Sequence, residues 1–413
     1  MKILVSAFTC WPTESSEPGV AWRFVQEWMK DHEVWLLTQA APGPLKRIRE
    51  FLQISHAKNL HLCSFPNWSP DLETIEPYVN LYSALWQRTV ILHARRLHKQ
   101  HHFDLVHHVT FSRYWEGSSL VDLGIPFLWG PLGAGESPPA SLLEGLPIKS
   151  KLTCILRSFS KGVFECSPFL RKTARKASVA FATTQDTALR LKALGVRNTQ
   201  LMPQIAFSEK RIQELQDFCK IPELSPIHLL SVGRLLYWKG FHLGLHVAAE
   251  LIKRGLKVQY KIINDGPMRQ FLQSLVNKLD IESNVEFLGR ISRHEDVLSY
   301  VGHCHALLHP ALHEGFGNIC LEALAIGKPV VCLDIGGPAT QVTTDCGYAA
   351  SGSDVATAIC QMADFIESLT MNMKTYIAYS NNAKSRVAKN FTASLQMKTL
   401  HEATSLALNT NGN

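Results

Sequence analysis

Apolar and polar positions alternate along the chain in two successive cycles of strand and helix. The first opens with KILVSAF (2–8), an apolar run rich in β-branched residues that predicts a buried strand. A loop through Gly19 leads into VAWRFVQEWMKDH (20–32), apolar at helical spacing, and EVWLLTQ (33–39) then predicts a second strand. FDLVHHVTF (103–111), IPFLWG (125–130) and SVAFATT (178–184) predict further buried strands, while 45–101 reads as largely helical and basic-polar, an insertion in the sheet. The second cycle follows ELSPI (223–227), where Pro222 and Pro226 mark a boundary. Strands at IHLLSVG, KVQYKIIND, VEFLG, CHALLHP and PVVCLD are separated by helices at GFHLGLHVAAELIKRG, MRQFLQSLVNKLD and HEDVLSYVGH, with more helix to the end.

Strands spaced by helices imply parallel, doubly wound sheets. The 413 residues are too many for one core. The expectation is therefore an α/β protein of two Rossmann-like domains facing a central cleft. Residues 1–205 form one domain and 206–387 the other. Ligands of such sheets bind beyond the carboxyl ends of the strands.

Composition excludes several classes. No run of 18 apolar residues predicts a spanning helix, and MKILVSAFTCW reads as a first strand, not a signal peptide. Ten scattered cysteines without a CxxC read as buried small hydrophobes of a reducing cytoplasm. The formal charge of +7 is concentrated. Lys149, Lys151, Arg157, Lys161, Arg171, Lys172, Arg175 and Lys176 face Glu165 alone, an excess equal to that of the whole chain. Phenylalanines and leucines are interleaved, so 149–176 is either a solvated helix face or a peripheral contact with an anionic membrane. Confinement to one stretch, with no reading module, argues against nucleic acid.

Candidate chemistry gathers after the strands of the second cycle. HLLSVG is followed by Arg234 and then Lys239-Gly240, where a helix starts; two cations beside free N–H groups make an anion site suited to phosphate or diphosphate. In HEGFGNICLEALAIGKPVV (313–331), Glu314 falls in a loop and a helix is predicted from about Asn318 to Ile326, capped by Gly327. Gly315 and Gly317 allow close backbone approach. Were the eight steps from Glu314 to Glu322 all helical, they would span roughly 12 Å. Glycosidase pairs need about 5–5.5 or 6.5–9.5 Å, so these carboxylates read as two separate hydroxyl-holding groups, as a nucleotide sugar would require.

VGRLLYWKG, INDGPMRQFLQSLVNKLDIESNVEFLGRIS and HEGFGNICLEALAIGKPVV together resemble the carboxyl-terminal half of family-four retaining glycosyltransferases of GT-B fold (glycosyl transferases group 1). EPGVAW and GPLGAGE are similar to a bacterial subset of that family, of the polysaccharide-biosynthetic kind. The resemblance implies a metal-independent hexosyl transfer from a nucleotide diphosphate sugar, UDP or GDP type, to a glycan, lipid-linked or small-molecule acceptor. It implies no resident cofactor, and a cytoplasmic or membrane-peripheral location. Arg234 and Lys239 would neutralise the leaving diphosphate, Glu314 hold the sugar hydroxyls and Glu322 the ribose. Backbone at Phe316, Gly317, Asn318 and Ile319 would contact sugar and phosphate, Arg290-Ile291 border the base, and Gly19 close over the phosphates. His108 is the catalytic candidate of the other domain, and His107, Tyr114, Trp115 and Gly133 are acceptor candidates, with loops 8–22, 109–118 and 129–145 setting acceptor choice. As the GT-B resemblance implies, the helix near SLQMKTLHEATSLAL, within 388–413, would cross back onto the first domain.

The chain departs from the family pattern at three places. His107 and His108 are adjacent, with Val109 where a histidine is frequent; Asn264 stands where glycine is usual, and Gln341 where an acid is frequent. Two rival readings are a nucleotide-sugar 2-epimerase, for which no extra acid/base pair is apparent, and a silent glycosyltransferase-like subunit. His303, His305, His309 and His313 tempt a metal reading, but no ligand spacing completes a site. GPLGAGE does not open a helix after the first strand, so a dinucleotide-dependent dehydrogenase fails.

Overall fold

In the computed structural model, which describes residues 1–12, 16–65 and 78–410, the chain forms two compact units. Unit 1 comprises Met1–Gly135, Phe159–Gln204 and Gln396–Asn413; unit 2 comprises Glu136–Ser158 and Ile205–Leu395.

Unit 1 is built on β1 (Lys2–Ala7), β2 (Glu33–Gln39), β3 (Leu60–Phe65), β4 (Leu105–Thr110), β5 (Phe127–Leu132), β6 (Val179–Ala182) and β7 (Thr199–Leu201). They pair in parallel in the order β3-β2-β1-β4-β5-β6-β7. β4, β5 and β6 are buried throughout, which explains their unbroken apolar runs. Leu4, Trp35, Leu37, Val106, Phe127 and Trp129 share a core with Trp86, Ala94, Leu170 and Leu191 of the covering helices.

Unit 2 repeats the plan with β8 (Ile227–Val232), β9 (Val258–Ile263), β10 (Val285–Gly289), β11 (Ala306–His309), β12 (Val330–Leu333) and β13 (Gly347–Ala350). Their order is β10-β9-β8-β11-β12-β13, all parallel. The strand order reverses between β8 and β11, so the loops leaving those two strands flank the switch point where such sheets bind ligands.

Several expectations are corrected. The region 45–101 is not wholly an insertion: Leu60–Phe65 is an edge strand paired with β2. Its alternation of Leu, His and Ser is weak because only Leu60 is fully buried. β7 and β13, short strands at the far edges, were not predicted either. Gly19 lies in the helix Ser16–Trp28, not in a loop, buried one turn from its start. The segment Glu136–Ser158 groups with unit 2, because Leu142, Leu143, Leu146 and Cys154 are buried in that unit's core with Leu245, Ala248, Tyr260 and Met362. Chain returns to unit 1 at Gln396, within the helix Ala393–Thr410. The parts of the expected regions at 13–15, 66–77 and 411–413 lie outside the described residues.

Candidate functional site

The loop leaving β8 begins at Gly233 (φ +149°), passes Arg234, and ends in the single turn Tyr237–Lys239 before the helix Phe241–Lys253. Gly240 caps that helix at φ +71°. The loop leaving β11 runs from Pro310 to Gly317 (φ +81°), the cap of the helix Asn318–Ile326. Neither cap bears a side-chain hydrogen bond to the helix, so backbone N–H groups head both helices on the two sides of the switch point.

The two loops are stitched together. Leu312 N–H donates to Trp238 O at 2.8 Å, and the His313 ring stacks on Trp238 with centroids 5.2 Å apart. Lys239 Nζ donates to Glu314 Oε2, and His309 Nε2–H donates to the same oxygen at 3.3 Å. Burial alone would push the Glu314 carboxyl up, but Lys239 and His309 together hold it well below the ordinary carboxylate range. His309 is buried and its pKa lowered by that burial, against the pull of Glu314, so it presents a neutral ring donating to a charged carboxylate.

A third loop buttresses the second. Gly337 N–H donates to Glu314 O at 2.8 Å, and Gln341 Nε2 donates to Phe316 O at 2.6 Å. A Cβ on Gly337 would lie 2.3 Å from the Phe316 Cα, so only glycine permits this approach. Gln341, fully buried, thus has a definite task where an acid was the frequent choice: its amide supplies donors to carbonyls of the Glu314 loop. Arg386 in turn donates to the Gln341 and Thr340 carbonyls.

Farther along the helix, Glu322 Oε1 accepts from His294 Nε2 at 2.8 Å, and this bond raises the His294 pKa. Arg234 and Arg290 are exposed on the loops after β8 and β10, and Ile291 is half-buried beside Arg290. Asn264 follows β9 at φ +99°, a conformation that asparagine tolerates better than most residues. Its N–H donates to Gly289 O at 2.7 Å and its side chain accepts from Asp265 N–H, so the usual glycine is replaced without loss of the turn.

The first-unit candidates fare differently. His107 is wholly buried in β4; its Nδ1 accepts from Trp28 Nε1–H at 3.0 Å and its Nε2–H donates to Gly130 O at 2.9 Å. Burial pulls its pKa down to about 3 and that of His108, 1% exposed, to about 4. Both rings are enclosed, since β4 is a central strand whose side chains are buried on both faces. Tyr114 is likewise 0% exposed, its hydroxyl donating to Glu165 at 2.7 Å, and so does not offer a stacking face. Trp115 packs edge-on against Tyr114 and under Lys161 Nζ, 5.7 Å from the ring centre. Gly133 is buried, its N–H donating to Ser112 O at 2.7 Å.

The four tempting histidines do not converge. His303 donates to Ser299 O, His305 bridges His228 N–H and Glu223 O, His309 serves Glu314 and His313 stacks on Trp238. Among the described residues no three His, Cys, Asp or Glu side chains group as metal ligands.

Two parallel-sheet, Rossmann-like units, one with a charged cluster at its switch point, define the GT-B class. Residues 216–386 match the family model of glycosyl transferases group 1. Among curated proteins the chain is 29% identical over 153 residues to the 2-deoxystreptamine N-acetyl-D-glucosaminyltransferase of Niallia circulans, covering 35% of this chain and 39% of that protein. It is 32% identical over 132 residues to the alpha-D-kanosaminyltransferase of Streptomyces kanamyceticus, covering 32% and 33%. The similarity thus spans well under half the length of these relatives. Among solved structures, HepE of Anabaena in complex with UDP matches with a TM-score of 0.60 at 17% identity, over 98% of this chain and 100% of that one. Sucrose-phosphate synthase of Thermosynechococcus elongatus matches with a TM-score of 0.67 at 16% identity, over 98% and 99%. At such identities these structures establish the fold.

Proposed function

We propose that the protein is a metal-independent, retaining glycosyltransferase that moves a hexose-type unit from a nucleotide diphosphate sugar to an acceptor hydroxyl. The observation that carries this reading is the Lys239–Glu314–His309 cluster at the switch point, between two helix N-termini capped by glycine without a side-chain hydrogen bond. With no ligand, Lys239 and Glu314 neutralise one another. A donor would separate them, the ammonium turning to the diphosphate and the carboxylate to the sugar hydroxyls. Arg234 and the N–H groups at Asn318 and Ile319 would add to the anion site, and Glu322 would take the ribose.

In the transfer, the C1–O bond to the diphosphate breaks and the acceptor oxygen bonds to C1 on the same face. The acceptor proton passes to the departing phosphate oxygen. Charge develops on that leaving group, so fixed cations and helix termini aimed at it supply the main catalytic effect. The relatives named as N-acetylglucosaminyl- and kanosaminyltransferases, and the neighbour holding UDP, support a nucleotide-sugar donor of UDP type and a role in glycan or glycoside synthesis.

The test is a thermal-shift panel of UDP, GDP, ADP and TDP in EDTA, on wild type and on Lys239→Ala. A ligand at 100 times its Kd stabilises by about 2.7 kcal/mol, a shift of several degrees. One nucleotide should shift wild type and not the variant. No shift with any nucleotide would favour the silent subunit instead.

A further inference from the structure

GPLGAGE (130–136) closes on Glu136, the first residue of the segment that unit 2 takes into its own core. Leu142, Leu143 and Leu146, buried in that core, anchor the segment behind it. A Cβ on Gly352, just after β13, would lie 3.3 Å from Leu142 Cδ1 and 3.7 Å from both Ile335 Cδ1 and Pro139 Cγ. The segment therefore passes along the loops that leave β12 and β13, at the carboxyl edge of the sheet. Glu136 comes to rest there against Gly336, only 1% exposed, although glutamate is among the residues least often buried.

The loop it touches is the one that supports Glu314. A Cβ on Gly336 (φ +69°) would stand 3.3 Å from Glu136 Cγ and 2.5 Å from the Glu314 carbonyl oxygen. The side chain of one glutamate and the backbone of the other thus converge on a single glycine. Gly317 is held as closely, since a Cβ there would lie 3.3 Å from Glu314 Cγ and 3.1 Å from Pro338 Cγ. Glycines at 317, 336 and 337 leave backbone, not side chains, beside the two glutamates, which is what close approach of a ligand needs.

Strand order sets a direction along this edge. β8, β11 and β12 are successive neighbours in the sheet. At about 4.8 Å between strands, the loops bearing Lys239, Glu314 and Gly336 follow one another over roughly 10 Å. A diphosphate held at Lys239 puts C1 of the sugar beside it and the ring over Glu314. In a hexopyranose C4 stands across the ring from C1, so the third loop, with Glu136, lies toward the C4 end.

Resting on the donor reading of unit 2, we propose that Glu136 is a specificity-determining residue of the donor-sugar subsite. Its carboxyl accepts from the C4 hydroxyl of the hexose, while Glu314 holds the hydroxyls nearer C1. Glu136 then reads whether that hydroxyl is equatorial, as in glucose, or axial, as in galactose. The wrong epimer forfeits a bond made inside a buried site, where such a loss discriminates strongly.

The experiment is calorimetric titration with the diphosphate that shifts wild type in the nucleotide panel, and with its glucose, galactose (C4 epimer) and mannose (C2 epimer) conjugates. Wild type should bind one of the glucose and galactose conjugates about tenfold more tightly than the other, and Glu136→Ala should bring that ratio within about twofold. The glucose-to-mannose ratio and the affinity for the bare diphosphate should not change. Glu136→Gln, whose amide oxygen still accepts, should fall between, and carries the comparison if Glu136→Ala does not fold. Wild type that fails to separate the C4 epimers, or a variant that separates them as wild type does, would overturn the assignment. So would a variant whose diphosphate affinity and both ratios fall in step, the mark of a side chain that only braces Gly336. No binding of any diphosphate to wild type would instead overturn the donor reading, and this assignment with it.

Discussion

Gly240 heads the helix Phe241–Lys253 at φ +71°, and a Cβ there would sit 1.8 Å from the Pro310 carbonyl oxygen. Gly240→Ala must therefore move either the helix or the loop after β11, and with it Lys239. We expect a loss of roughly 3 kcal/mol or more, read as a lowered melting temperature, together with loss of the nucleotide shift. An unchanged melting temperature would show that this approach is not tight. At this scale the sequence was informative where chemistry and backbone coincide. Lys239-Gly240 and Glu314–Gly317 pair a charge with a glycine demanded by geometry, so the motif announces both. His107 and His108 were less legible, because a buried neutral imidazole and a functional one look alike in a string of letters. What separates them is the partner, and those of His107, Trp28 and Gly130, lie 79 and 23 residues away. His309 and Gln341 were missed as supports for the same reason, their roles being fixed by the packing of the loop after β11.

Elements bring the second carboxylate under control. The helix His294–His303 places His294 against Glu322 of the helix Asn318–Ile326. Since the pair raises the His294 pKa, the protonated bond is complete below the ordinary histidine value of about 6.5 and is lost as pH rises through the higher folded value. If Glu322 takes the ribose, a nucleotide must displace this bond. Its affinity should then fall by a few-fold between about pH 8 and 6 in wild type, relative to His294→Gln, measured by calorimetric titration. Parallel pH profiles for the two proteins would disprove the competition. Long amphipathic helices and central strands were legible, because burial on both faces writes an unbroken apolar run. Edge strands β3, β7 and β13 were not, since one-sided pairing leaves their residues half-exposed and their pattern mixed. Gly19 misled as a loop marker because it sits in a helix whose first turn tolerates it.

Across the whole molecule, the units are not consecutive lengths of chain. Unit 2 borrows Glu136–Ser158, and Leu142, Leu143, Leu146 and Cys154 from it are at most 6% exposed. A fragment of Ile205–Leu395 alone would forgo burying these four, at about 1.5–3 kcal/mol for each large aliphatic side chain. It should melt far below the full chain or aggregate, whereas adding back 136–158 in trans should restore solubility. A fragment as stable as the full chain would refute this account of the core. No local pattern could have assigned 136–158 to a sheet formed by residues a hundred positions later, whereas the alternation of strand and helix within each unit was readable throughout.

The return of the last helix to unit 1 also orders events at the ribosome. Leu400, Ala403 and Ala407 are fully buried, and His401 stands edge-on to Trp28 of the helix Ser16–Trp28, 5.9 Å between rings. The strands from Lys2 to Leu201 are thus completed by a helix translated after the whole of unit 2. Any nascent chain released before about residue 400 would carry an unfinished unit 1 with bare apolar surface, a form that chaperones hold and proteases remove. In that sense the helix withholds a finished unit 1 until unit 2 has been made.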